Sequence, residues 1–150
     1  MSLTMTAAER EGFLAGVQVG VVSVADEGGR APLMVPMWYD YRPGGEVVLI
    51  TDRPSRKARL IRLAGRLSVC VQSGEVPYKY VSVEGPVTGI QEMVTAEERR
   101  ALARRYLGAE RGDAYVAATA DRTASMVLIR MCPEHWLSED QARLAAIPPP

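Results

Sequence analysis

Histidine and cysteine are scarce in this chain: one histidine, His135, and two cysteines, Cys70 and Cys132, among 150 residues. A zinc or iron centre held by side chains draws on these residue types at close spacing, so no dedicated metal site is expected. Ser-His-Asp hydrolysis would rest wholly on His135, which sits in Pro133-Glu134-His135-Trp136 without a Gly-x-Ser-x-Gly elbow in the chain. His135 therefore reads as local structure. The cysteines fall in strand-like runs, residues 67–71 and 126–132, where buried free thiols in a reducing compartment are the expectation. Net charge is absent as well, with 18 basic against 18 acidic residues, so no global field draws nucleic acid or membrane. No apolar run approaches the roughly 18 residues of a membrane span, and no charged and apolar leader opens the chain. A cytoplasmic protein is expected, one domain over residues 1–150 with its core at about 8–137 and a tail at 139–150.

What the chain does have is β-branched residues in short runs. A capped helix is predicted over residues 6–16, with Thr6 as N-cap and Glu9 completing a capping box. Strands follow at 17–25, 32–41 and 47–51, separated by Asp26-Glu27-Gly28-Gly29 and Arg42-Pro43-Gly44-Gly45. The short turns read as an antiparallel meander. A helix at 55–65 leads to a strand at 66–72, then to a long strand at 78–90 bent at Gly85-Pro86. Thr95 caps a helix that runs to Leu107, with Ala101, Leu102 and Leu107 on its apolar stripe, and Gly108 stops it. Residues 110–122 fit either a short helix or a loop, and residues 125–131 form a sixth strand. A short helix is expected from Glu139, and Pro148-Pro149-Pro150 reads as frayed. Six strands with few helices between them make the fold mainly β, a helix-decorated barrel rather than a parallel α/β sheet.

The chemistry concentrates at Ser55-Arg56-Lys57-Ala58-Arg59, directly after the strand that ends in Thr51. Pro54 disfavours a helical Arg53, which makes Ser55 the natural N-cap. Arg56, Lys57 and Arg59 then crowd a helix end that is already partly positive, where each misplaced surface cation costs roughly 0.3–1 kcal/mol. A phosphate held by free backbone N–H groups, a Ser hydroxyl and two or three cations would justify that choice. The competing interpretation is a solvated basic helix face. Strand alternation places Met34, Pro36, Trp38 and Asp40 on one face and Val35, Met37, Tyr39 and Tyr41 on the other. The aromatics serve either core and interface packing or a cofactor platform, and Pro36 marks an edge or bulge. On the fifth strand Val81, Val83 and Val87 face the core, while Tyr78, Tyr80, Ser82 and Glu84 face solvent, a dimer partner or a pocket.

This order of elements, with Pro36-Met37-Trp38-Tyr39-Asp40-Tyr41, then Ser55-Arg56-Lys57-Ala58-Arg59, then Val83-Glu84-Gly85-Pro86 some 25 residues later, resembles the pyridoxamine-5′-phosphate-oxidase-like superfamily. Its members are split β-barrel flavin and deazaflavin oxidoreductases, and the resemblance spans roughly residues 8–131. It implies a six-stranded antiparallel FMN-binding-like split barrel, a homodimer, and two cofactor sites at the subunit interface. It places the cofactor phosphate on Arg56 and Lys57 with Ser55 and Thr51, and the ring system along Pro36, Met37 and Trp38. The chain ends in Leu144-Ala145-Ala146-Ile147 and three prolines, without the basic C-terminal segment by which pyridoxamine-phosphate oxidases grip substrate. The resemblance thus points to the group that binds the deazaflavin coenzyme F420, with FMN as the alternative. It implies a hydride-transferring oxidoreductase acting on an electron-poor small molecule. A non-catalytic flavin, F420 or haem carrier, the last using His135, is the competing class, and a plain dimerisation module is a third.

Overall fold

A computed structural model describes residues 2–144; the prolines expected to fray lie outside the described residues. The first helix, α1 (Ala7–Leu14), carries the predicted reciprocal cap. Glu9 N donates to Thr6 Oγ1 at 3.2 Å, and Thr6 N donates to Glu9 Oε2 at 2.8 Å. Strands β1 (Gly20–Val24) and β2 (Leu33–Met37) pair as an antiparallel hairpin. Gly28 and Gly29 sit in the left-handed region within its loop, at φ 64° and 72°.

The second strand ends four residues before the predicted Tyr41, and the next element departs from the expected meander. Strand β3 (Val47–Asp52) pairs along its whole length with β6 (Met126–Met131), and touches the β2 end only where Asp40 and Val48 exchange backbone bonds of 3.0 and 2.9 Å. The cause is burial. Met126–Ile129 are buried at four consecutive positions, so both edges of β6 need ladder partners, and β3 supplies one of them. The Asp40–Val48 link joins the two ends of the strand order β2-β1-β4-β5-β6-β3, and the sheet curls into a split barrel of six antiparallel strands.

Helix α2 (Arg56–Ala64) crosses to β4 (Arg66–Gln72) and is ended by Gly65 at φ 67°. The long strand β5 (Lys79–Gln91) pairs with β4 as far as Pro86↔Arg66, then with β6 from Val87 onward. Gly85-Pro86 therefore marks the change of partner, and the irregular register falls just beyond it, between Val87 and Gly89. Helices α3 (Ala96–Leu107) and α4 (Ala109–Ala118) and a 3-10 turn at Ala120–Ser125 occupy the connection to β6. The buried stripe of α3 is Leu102 and Ala103; Ala101, expected in it, is exposed. A seventh strand, β7 (His135–Asp140), replaces part of the tail helix expected from Glu139, and only Gln141–Arg143 form a 3-10 turn. β7 pairs with the first half of β5, so β6 and β7 follow one another along β5.

Gly85 lies at the break between them, and a Cβ there would stand 1.7 Å from the Cys132 carbonyl oxygen. The Gly of the Val-Glu-Gly run is therefore required by a close backbone crossing. The valines alternate as expected: Val81 and Val83 are fully buried with Val22, Val69, Leu49, Ile129, Tyr39 and the α2 residues Leu60 and Ile61. Among the described residues no helix is long and apolar enough to cross a membrane.

Candidate functional site

Ser55 caps α2 as expected, its Oγ accepting from Ala58 N at 3.2 Å, and every cation near this helix start now has an assigned neighbour except one. Arg53 is a staple: Nε meets Glu92 Oε2 at 3.3 Å, and its Nη groups donate to the carbonyls of Ala124, Glu92 and Met126. Arg56 pairs with the buried carboxylate of Asp26. Arg59 reaches Glu27 at 2.7 Å, and Arg62 reaches Glu92 at 2.7 Å. The Arg62 hydrogen bond, aided by Arg53, holds the Glu92 carboxyl below the ordinary carboxylate range. Lys57 is half-buried and has no acidic partner among the described residues. The backbone N–H groups of Arg56 and Lys57 likewise have no acceptor there. The crowded turn resolves into a set of internal ion pairs with one ammonium and two amides left over. Those donors fit a phosphate oxygen by charge and hydrogen-bonding type. Thr51 is 5% exposed and points inward with Val47 and Leu49 at the end of β3.

The second group of expected residues lies at the end of β2. Pro36 sits on the outermost strand of the order, where its missing N–H costs no ladder bond on the free side. Pro36 is exposed, and Met37 and Trp38 are half-buried. Trp38 stacks on Tyr106 of α3 (4.9 Å between centroids, 6° between planes) and meets Tyr115 of α4 at 5.6 Å and 59°. Tyr106 also pins the backbone: its hydroxyl donates to Gln18 O at 2.7 Å and accepts from Tyr39 N at 3.0 Å. Tyr39, beside it, is fully buried and donates to Leu14 O at 2.6 Å. Burial first, and the neighbouring Tyr106 second, push its phenol up to about 12.

Trp38 opens onto a shallow, open cleft of about 70 Å³ between the α3–α4 pair and the outer face of β3 and β6. Ile50 and Met126 line its sheet side; Arg99, Leu102 and Tyr115 line its helix side. Ile50 precedes Thr51, and Met126 pairs with Asp52 across the ladder while its carbonyl accepts from Arg53 Nη2 at 3.3 Å. Trp38 is thus brought to the strand end from which α2 departs. Arg99, Tyr106 and Tyr115 escaped the sequence reading. The available signal was the i, i+3, i+4, i+7 spacing of Arg99, Leu102, Ala103 and Tyr106, which puts a guanidinium inside an apolar helix stripe.

No known sequence family and no curated protein sequence matches the chain. Solved structures do. A conserved hypothetical protein, Rv2991 from Mycobacterium tuberculosis, superposes with a TM-score of 0.76 at 23% identity, over 99% of this chain and 93% of that one. An F420 reductase gives 0.70 at 21% identity over 85% and 94%. An FAD-binding protein from Mesorhizobium loti gives 0.62 at 23% over 90% and 92%. At these identities the likeness concerns the backbone, and it agrees with the strand order and helix placement above. The chain has a split β-barrel fold, which it shares with these solved structures, the F420 reductase and the FAD-binding protein among them.

Proposed function

We propose that this protein is an oxidoreductase that binds coenzyme F420 and passes a hydride to an electron-poor small molecule. The observation that carries this reading is the helix start at Ser55, where Lys57 and two backbone amides have no partner among the described residues while Arg53, Arg56, Arg59 and Arg62 are each paired internally. Lys57 and the amides of Arg56 and Lys57 would take the cofactor phosphate, with Ser55 fixing the helix end; Pro36, Met37 and Trp38 would border the ring, and Thr51 packs beneath. Arg56 then acts through Asp26, which orients it beside the cradle. When bound, the cofactor supplies the hydride. The chain's own part is to hold the tricycle, keep water away and present the acceptor. FMN, which carries a phosphate at the same end of a similar tricycle, is the alternative occupant. The F420 reductase and the FAD-binding protein support a cofactor of this type through their shared fold.

A homodimer belongs to the same proposal. The outer sheet face runs through Met34 and Pro36, Val21 and Ser23, Ser68 and Cys70, Tyr80 and Ser82, and Leu137, all placed on one side by the strand register. Met34 and Leu137 are 64% and 62% exposed. The middle row of this five-strand face, Pro36, Val21, Cys70, Ser82 and Leu137, is small and apolar, with Gln72, Glu84, His135 and Glu139 flanking it on the same side, an apolar centre with a polar rim that fits a second copy of itself. The carrier reading through His135 finds an imidazole engaged with Glu134 at 3.0 Å in an ion cluster with Arg66.

The test is a binding titration of F420 and, separately, FMN, against wild type and Lys57→Ala. Micromolar or tighter F420 binding that weakens at least tenfold in Lys57→Ala is expected. Saturable binding of FMN alone would transfer the protein to the flavin branch. Binding of neither would overturn the cofactor reading. Reoxidation of bound, reduced F420 by a nitroaromatic or enone acceptor separates enzyme from carrier.

A further inference from the structure

Arg99 is 4% exposed, and no other charged residue among those described is as buried. Its hydrogen bonds go only to neutral oxygens: Nη1 to Thr119 O (2.9 Å) and Thr123 Oγ1 (2.8 Å), Nη2 to Thr119 Oγ1 (2.7 Å). No carboxylate stands within ion-pairing distance of it among the described residues. A guanidinium withdrawn from water without a counter-ion is unfavourable unless an anion completes it. Three of its five N–H groups are used, which leaves Nε–H and one Nη2–H. Those are the nitrogens by which Arg104, on the same helix, grips Asp113 side-on at 2.6 and 2.9 Å.

Arg99 lines the Trp38 cleft, whose remaining walls are apolar or aromatic, and its Cζ lies 6.0 Å from the Tyr115 ring centroid. We propose that this cleft binds a small planar organic anion, its carboxylate on the free edge of Arg99 and its conjugated body against the exposed edges of Trp38, Tyr115 and Leu102. The enclosed space, about 70 Å³, is well below the roughly 300 Å³ of a full ligand pocket, so it takes the carboxylate and the edge of one ring while the rest of the body lies across the open mouth. One guanidinium with two free N–H groups matches a monoanionic carboxylate better than a dianionic phosphate. The cleft also adjoins the α2 start through Met126 and Arg53, so the anion is assigned as the hydride acceptor; this assignment, unlike the binding itself, rests on the oxidoreductase reading.

The probe is cinnamate, titrated into the protein without cofactor, with cinnamamide as its neutral counterpart; calorimetry reports binding, and tryptophan fluorescence in a Trp136→Phe background reports it at Trp38. Wild type is expected to bind cinnamate at least tenfold tighter than the amide, and Arg99→Met to lose that preference while keeping the wild-type circular dichroism spectrum. Should Arg99→Met fail to fold, Tyr115→Ala keeps the guanidinium and is expected to weaken cinnamate at least fivefold. Equal affinity for acid and amide in wild type overturns the proposal. So does cinnamate binding that survives both variants, or one lost in Lys57→Ala instead, which would put the anion at α2. Cinnamate binding without F420 binding would leave the cleft assigned and remove only its role as acceptor site.

Discussion

A single hydrogen atom decides the crossing of β5 with the link between β6 and β7. At Gly85 a methyl group would overlap the Cys132 carbonyl oxygen at 1.7 Å and press on Met131 Sδ at 3.2 Å, and the oxygen belongs to backbone that cannot rotate away. Gly85→Ala is expected to destabilise the protein by about 3 kcal/mol in urea unfolding, at the upper end for overpacking; a cost below about 1 kcal/mol would show that the crossing yields. The Ser55 cap was visible in the sequence because it depends on neighbours a few residues away; Gly85-Pro86 was visible as a bend, but the backbone of Cys132 that requires the glycine arrives from a distant part of the chain. The pairing of the arginines was not visible. Asp26 and Glu92 stand some 30 residues from Arg56 and Arg62 and arrive on other elements, so the turn read as one basic cluster when it is four ion-paired arginines around a lysine. Arg99 was masked differently: its spacing with Leu102, Ala103 and Tyr106 puts it in the apolar stripe, but on a helix rich in Glu and Arg a guanidinium is expected to reach solvent.

Elements with strong local signals matched their prediction closely. The Thr6 and Thr95 capping boxes and the β4 bounds are examples, since caps and alternation are set by contacts within a turn or two. The partner of β3 was not legible, because a short Gly-rich turn permits a hairpin without compelling one; burial on both sides of β6 decided it. The same logic sets opposite signs for one substitution in two helices. Gly12 in α1 has open space around its would-be Cβ, so Gly12→Ala is expected to stabilise by roughly 0.5–1 kcal/mol through helix propensity. Gly112 in α4 would put its Cβ 2.7 Å from Arg104 N on α3, so Gly112→Ala is expected to cost about 1–3 kcal/mol and to weaken ligand binding in the Trp38 cleft. Paired thermal melts of the two variants check this, and melting shifts of the same sign would refute it.

For the molecule as a whole, the open sheet face carries the clearest expectation. Light scattering should give twice the mass of one chain, and Leu137→Asp, at an exposed position where a charge leaves the fold undisturbed, should give a monomer. A wild-type monomer at tens of micromolar would refute the dimer. The connection between β5 and β6 has a different consequence. It leaves the sheet at Gln91 and re-enters at Met126, two residues before Leu128, which faces Gln91 across the ladder, with α3, α4 and the 3-10 turn carried between them. The excursion begins and ends at one doorway, as a hairpin turn would. Such a segment can be lengthened, shortened or exchanged by recombination while the barrel strands keep their register and the helix at Ser55 keeps its place. The wall of the Trp38 cleft can therefore change at its own pace, while the barrel beneath it stays as it is.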